Sequence, residues 1–331
     1  MRELSAIVSA LLAPPVGPTV LATLVSAEGS SYRRPGARLL LLADSRRVGS
    51  ISGGCLEEDV IARATKVRAT GVAEVVVYDT TSENDLVWGV GLGCHGVVRV
   101  LIERLPPAPA WVQALARSFE KRQPTALSVI HGGEDRGSWG TRLAAPGDCP
   151  DSQRLFSETV APPTALVIFG AGDDAQPLSR LAHELGWQVT VADPRAALAT
   201  AARFPTAHRF VVGPADALVA QAAPDAATLA VVMTHHYVHD VPLLRDLLAR
   251  PLAYLGLLGP RQRAEKILAD LAAHGRTVTP AQRARLHAPV GLDLGADGPE
   301  QVALSMLSEM QATLAGRDAR PLRERTRPIH D

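Results

Sequence analysis

Lysine is almost missing from this chain. Of 34 basic residues in 331 only Lys66, Lys121 and Lys266 are lysines, and 34 acidic residues bring the formal net charge to zero. No basic face announces a nucleic acid partner. The lysine scarcity looks like codon usage and says little about function. Cysteine is scarce too. Cys55, Cys94 and Cys149 contain no CxxC pairing and build no disulfide framework, which predicts a cytoplasmic protein. No apolar run is long enough to cross a membrane, so no membrane partner is expected. The amino end, Met1-Arg2-Glu3 followed by Leu4 to Ala13, superficially resembles a signal peptide. Against that stand Glu3, a short apolar core closed by Pro14-Pro15, and no small-residue cleavage site. Leu4, Ile7, Val8, Leu11 and Leu12 share one helical stripe and predict a helix packed on the first domain.

What is present is a chain of two-domain length, with 47% hydrophobic residues to fill ordinary cores. Its organising stretch is Ala165 to Ala175: an apolar run of strand length breaks at Gly170 and Gly172 and passes into a helical run from Gln176 to Leu185. A second strand-like run, Gln188 to Ala192, ends on Asp193. Glycines that let a backbone approach a phosphate, a helix amino end and a carboxylate for ribose hydroxyls form a mononucleotide-binding half. Asp173 and Asp174 fall where the pyrophosphate would lie, and they would repel it unless a cation such as Mg2+ intervened or their side chains pointed away. The plainer reading is that they stabilise the positive end of the helix.

Further strands are expected at Phe210 to Val212, Thr228 to Met233 and Leu252 to Leu257, with helices near Asp216 to Ala222, Val241 to Arg250 and Arg261 to His274. Such alternation predicts an α/β fold with a parallel, doubly wound sheet and ligands at the carboxyl ends of its strands. At those ends lie Asp193, the group His235 with Asp240, and the turn Gly256 to Arg261, in which Gly256, Gly259 and Arg261 form a second candidate anion site. His235 and Asp240 would act as an acid-base pair or metal ligands, or His235 would cap a strand end.

The amino-terminal part alternates differently and predicts a small α+β domain over 1–146. Strands are expected at Thr19 to Ser26, Arg38 to Ala43, Ala73 to Tyr78 and up to Glu103, helices over 56–69 and Trp111 to Arg122, and a hairpin from Thr125 to Ala144. Pro, Asp and Ser without periodicity place a linker at 147–163 and the second domain at 164–331. Arg33 would receive an anion. The turn Ser52-Gly53-Gly54-Cys55 opens a helix, a position that exposes and favours a thiolate, although Glu57 and Glu58 oppose the charge. Cys55 is thus a candidate for metal binding or sulfur relay, or a small residue chosen for a tight turn. Cys94 and His95, flanked by glycines, raise the same alternatives.

With these motifs collected, the chain resembles the XdhC/CoxI family of accessory proteins for molybdenum hydroxylases. The resemblance rests on Gly49 to Glu57, Gly91 to Gly96, Gly170-Ala-Gly172 with Asp193-Pro-Arg195, Val232 to His235 with Asp240, Tyr254 to Gly259, Pro289 to Ala296 and Ile329-His330. It implies an amino-terminal XdhC-type domain joined to a carboxy-terminal Rossmann-like domain. It also implies binding of molybdenum cofactor, help with its sulfuration, and delivery to the apoenzyme of a xanthine dehydrogenase, aldehyde oxidase or carbon monoxide dehydrogenase type hydroxylase. A cysteine desulfurase and a second copy of the chain are further expected partners. In a carrier reading molybdopterin is held between the two domains, with Cys55 near molybdenum or handling the terminal sulfur, and the cofactor lies against Arg33, Ser52, Gly53, Gly54, Gly170, Gly172, Asp193, Arg195, Gly256, Gly259 and Arg261. Many relatives carry His-Val in place of Asp173-Asp174 and Ser in place of Pro260, changes at both phosphate sites. A pterin phosphate or dinucleotide form of the cofactor, with Mg2+, fits there as well as NAD. Two further readings remain: an NAD(P)-dependent oxidoreductase, for which no convincing catalytic set follows the glycine turn, and a nucleotide-sensing interaction module. The resemblance leans away from a turnover enzyme.

Overall fold

The computed structural model describes residues 2–13, 17–79, 96–148 and 154–326. They divide into two compact units at Pro163/Thr164. Among the described residues no helix is long and apolar enough to cross a membrane.

The first unit contains helix α1 (Arg2–Leu12), strands β1 (Val20–Gly29), β2 (Arg38–Leu41) and β3 (Arg47–Gly49), helix α2 (Glu57–Thr70), strands β4 (Glu74–Asp79) and β5 (Gly96–Arg104), helix α3 (Ala110–Lys121), and strands β6 (Thr125–Ile130), β7 (Gly140–Leu143) and β8 (Leu155–Val160). Five of the strands form an antiparallel sheet in the order β3-β2-β1-β5-β4. Period-two alternation gives that sheet two apolar faces. Val20, Ala22, Leu24, Val100 and Ile102 meet Val60, Ala64 and Val67 of α2 on one face. Leu21 and Leu40 meet Ile7, Val8 and Leu11 of α1 and Trp111 and Leu115 of α3 on the other. Leu12, included in the expected α1 stripe, is exposed.

One boundary differs from the sequence reading. The expected linker, 147–163, contributes β8, which pairs antiparallel with β6 in a second sheet ordered β7-β6-β8. Leu155-Phe-Ser-Glu-Thr-Val160 is half-buried through most of its length, so no clean alternation advertises it. Glu158 is instead held by an ion pair with Arg38 of β2, a guanidinium almost wholly buried.

The second unit is built from β9 (Ala165–Phe169), α4 (Ala175–Glu184), β10 (Gln188–Asp193), β11 (Arg209–Val212), α5 (Ala215–Ala222), β12 (Thr228–Val232), α6 (Tyr237–Leu248), β13 (Tyr254–Leu257), α7 (Arg261–Ala273), α8 (Pro280–Ala284), β14 (Leu286–His287) and α9 (Pro299–Leu314). All six strands run parallel in the order β11-β10-β9-β12-β13-β14. This is the Rossmann-like doubly wound sheet, with its topological switch between β9 and β12. Strand β9 shows why both faces need helices. Leu166 and Ile168 pack toward α4 and α9, while Val167 and Phe169 pack toward α5, α6 and α7.

At the switch point β9 turns out of the sheet at Gly170, whose φ is +122°. A Cβ there would lie 2.5 Å from the Met233 carbonyl oxygen at the end of β12. Both the backbone conformation and the space exclude a side chain. Gly170→Ala should therefore destabilise the protein by about 2–4 kcal/mol, as an overpacked and strained position does. Urea denaturation checks this, and wild-type stability in the variant would contradict the close approach.

Candidate functional site

Cys55 stands, exposed, on the turn between β3 and α2. Gly53 and Gly54 take φ of +89° and +123°, a path that favours glycine. The turn winds around one carboxylate. Glu57 reaches back so that Oε1 accepts hydrogen bonds from Ser50 Oγ (2.8 Å), the Ile51 amide (3.2 Å) and the Ser52 amide (2.9 Å). Its Oε2 accepts from the Gly54 amide (2.9 Å) and from Ser52 Oγ. Ser52 Oγ in turn accepts from the Leu56 amide at 2.9 Å, and Ser50 Oγ accepts from the Gly53 amide at 3.2 Å. Burial alone would raise the pKa of Glu57, but the donors from Ser52, Ser50 and the turn amides outweigh it and bring it down to about 2.

The turn amides are therefore engaged by an internal anion. Of the three residues expected to grip a cofactor, Ser52 and Gly54 donate to Glu57, and the Gly53 amide donates to Ser50 Oγ. The signal was present in the chain. A glutamate three residues after Gly54 has the spacing of a capping box, whose carboxylate bends back to the amide at the head of a helix.

Beside this turn lies a small pocket of about 50 Å³, open to solvent and lined by Leu24, Ile51, Val98, Ser31, Arg33 and Cys55. The Tyr32 ring covers Gly53, where an added Cβ would come within 2.8 Å of it. Of the candidate residues spread over both domains, Cys55, Ser52 and Arg33 line this pocket. Sequence reasoning missed Ser31 and Tyr32. Arg33, however, is not an open anion receptor. Its guanidinium pairs with Glu3 of α1 through two parallel hydrogen bonds, one of 2.9 Å between Nη1 and Oε1 and a second between Nη2 and Oε2. The bond to Glu3 raises the pKa of Arg33 and cancels its charge. Cys94 and His95 lie outside the described residues.

In the second unit the sequence-predicted residues gather at the carboxyl ends of the strands but with other partners than expected. Asp193 is fully buried. Its Oδ2 accepts from the Ala171 amide (2.7 Å) and Arg195 Nη2 (2.9 Å), and its Oδ1 accepts from the Arg195 amide (2.7 Å) and Nε (2.9 Å). Burial pushes the carboxyl up, yet Arg195 and the two amides leave its pKa below the usual range. A carboxylate so engaged has no lone pair turned toward ribose hydroxyls.

His235 and Asp240 do not form a pair. Asp240, almost completely buried, accepts from Thr234 Oγ1 (2.5 Å) and from Arg263 Nε (2.8 Å) and Nη2 (2.5 Å). It ties α6 to α7 as a structural anion. His235 is exposed, with φ of +60°, and its Nε2 lies 2.6 Å from Asp174 Oδ2. Asp173 Oδ1 accepts from Arg203 Nη2 at 2.8 Å. Each of the two neighbouring aspartates thus faces a cationic or protonatable side chain of the protein itself rather than a shared metal. Among the described residues no group of three or more His, Cys, Asp and Glu side chains converges on a metal position. Gly256 belongs to β13, where a Cβ would collide with Val290 at 2.7 Å, so it serves packing rather than anion binding. Gly259 keeps the expected turn with φ of +137°, and Arg261 begins α7 as an exposed residue.

Comparison with known proteins matches residues 16–79 to the model of the XdhC and CoxI family and residues 166–310 to the XdhC Rossmann domain. A protein of Bacillus subtilis described as a probable xanthine dehydrogenase subunit is 33% identical over 322 residues, covering 89% of this chain and 92% of that protein. The chain belongs to the XdhC and CoxI family. A molybdenum cofactor insertion chaperone of Escherichia coli, PaoD, is 25% identical over 293 residues, covering 88% of this chain and 82% of its own length. The crystal structure of a xanthine dehydrogenase from Bacillus halodurans superposes with a TM-score of 0.82 at 28% identity, covering 97% of this chain and 99% of that one. The first family segment, 16–79, contains the whole Cys55 turn with its glutamate brace.

In this XdhC-type turn the sign of the pH effect follows from Glu57. Its pKa falls from 4.5 to about 2 on folding, so its stabilisation is complete above the ordinary value and drains away as pH drops from about 5 toward 2. Chemical denaturation should show a loss on the order of 3 kcal/mol across that window. Glu57→Gln should be less stable at pH 7 and correspondingly flatter below pH ~5. Parallel pH profiles for the two proteins would contradict the brace.

Proposed function

We propose that this chain is an accessory protein that takes up molybdenum cofactor as cargo, assists its sulfuration and hands it to the apoenzyme of a molybdenum hydroxylase. Family membership supports the reading, as do the names of the relatives, one a molybdenum cofactor insertion chaperone and another a probable component of xanthine dehydrogenase. The observation that carries it is the placement of Cys55: an exposed thiol on a rigidly braced turn at the edge of an apolar-walled pocket. The donor chemistry fits the cargo, since a soft sulfur ligand suits molybdenum.

In this reading Cys55 faces the metal centre or its terminal sulfur. Leu24, Ile51 and Val98 keep water from the reactive end of the cargo, and Ser31 and Tyr32 line the same pocket. Arg33, neutralised by Glu3, orders the rim without adding a net positive charge. A cysteine desulfurase is the sulfur donor that such a carrier would draw on. The dehydrogenase and nucleotide-sensor readings gain no support from the second unit, because Asp193 is already fully engaged by Arg195 and Ala171.

Cys55→Ser tests this directly. An exposed thiol contributes little to the core, so the variant should fold with stability within about 0.5 kcal/mol of wild type. Purified from a host that makes the cofactor, it should carry only background molybdenum and oxidised-pterin fluorescence, and it should fail to activate the hydroxylase. Wild-type loading and activation by the variant would remove Cys55 from the transfer.

A further inference from the structure

A Rossmann-like sheet implies a dinucleotide at the switch between β9 and β12, and three features would receive it: the amides of the glycine turn, the amino end of α4, and the acidic residue that ends β10. Here the protein itself engages the Ala171 amide and the acidic residue, and it places a carboxylate of its own at the helix end. The Ala171 amide donates to Asp193, and Asp193 is saturated by that amide and by Arg195. Arg203 Nη2 bonds the Ala171 carbonyl at 3.3 Å and Asp173 Oδ1 at 2.8 Å, bracing the turn from its flank. At the amino end of α4 the Asp174 carboxylate folds back over the turn. Its Oδ1 stands 2.7 Å from where a Cβ on Gly172 would lie, and its Oδ2 meets His235 Nε2 at 2.6 Å. His235 comes from the loop between β12 and α6, on the far side of the switch point.

We propose that the Asp174–His235 clasp bridges the switch-point crevice and shuts it to diphosphates, and that Asp174 is the residue that sets this exclusion. The carboxylate supplies the negative charge that the helix end and the glycine turn would otherwise draw from a ligand. A diphosphate would have to displace it from His235 and then remain beside it, anion against anion. The inference does not depend on the carrier reading: it concerns the second unit, whereas Cys55 belongs to the first.

The test titrates purified wild type and Asp174→Asn with NADH, followed by fluorescence, and with ADP, followed by calorimetry, each with and without Mg2+. Asparagine keeps the size of the side chain and can still accept from His235, so the fold should persist, and circular dichroism verifies this. Wild type is expected to show no saturable binding at millimolar ligand under either condition. Removing one adjacent negative charge should tighten ADP binding by about tenfold or more. Saturable binding of either nucleotide to wild type, with or without Mg2+, would overturn the proposal. So would Asp174→Asn that binds ADP no better than wild type. A failure of Cys55→Ser to alter cofactor loading would leave this result untouched, and the two ideas stand or fall separately.

Discussion

The molecule depends on carboxylates of its own folded into turns built from backbone amides. A glycine turn at the head of a helix concentrates N–H donors that need a partner, and an anion is the strongest partner available. In many nucleotide-binding folds the ligand supplies that anion. Here the chain does. Glu57 fills the turn that presents Cys55, and Asp193 takes the amide of Ala171 together with Arg195. Buried carboxylates are tolerable only when so fully bonded, which is why both keep pKa values below their ordinary range despite their burial.

This arrangement decides what remains available to a ligand. With its amides committed, the turn around Glu57 has little left to grip phosphate, but it is held rigid, and the one reactive group it carries is the thiol of Cys55. Rigidity matters for a group that must meet a metal centre, because a side chain on a preorganised scaffold loses little freedom on engagement. In the second unit one turn amide, that of Ala171, meets an internal carboxylate, and the other aspartates pair with side chains. Asp173, Asp174 and Asp193 pair with Arg203, His235 and Arg195. The contrast supports the proposal that places the chemistry in the first unit, while in the Rossmann-like second unit Asp193 faces the Ala171 amide and Arg195.

The period of the apolar residues made most elements legible in the chain. Strand β9, helix α4 and strand β10 emerge at their observed places because runs of strand and helix length are punctuated by Gly170, Gly172 and Gly186. Strand β8 does not, since a half-buried edge carries no strong alternation, and α8, five residues long, is too short for periodicity to reveal. Helix α6 begins at Tyr237 rather than at the expected Val241, because Pro242 forfeits a bond only to the exposed first turn near Val238 and does not end the helix. The candidate residues themselves were visible, but their pairings were not. Glu3 finds Arg33 across 30 positions and Asp174 finds His235 across 61, and no local pattern encodes such partners. Glu57, three residues from Gly54, differs from them in having a local rule that announced its role.

The central claim is that the cargo is met by Cys55 in the first unit. Peptide-resolved mass spectrometry of iodoacetamide labelling, run side by side on cofactor-free and cofactor-loaded protein, measures it most directly. The account predicts rapid labelling of Cys55 in the empty protein and strong protection once the cofactor is bound. Equal labelling rates at Cys55 in the two forms would contradict it.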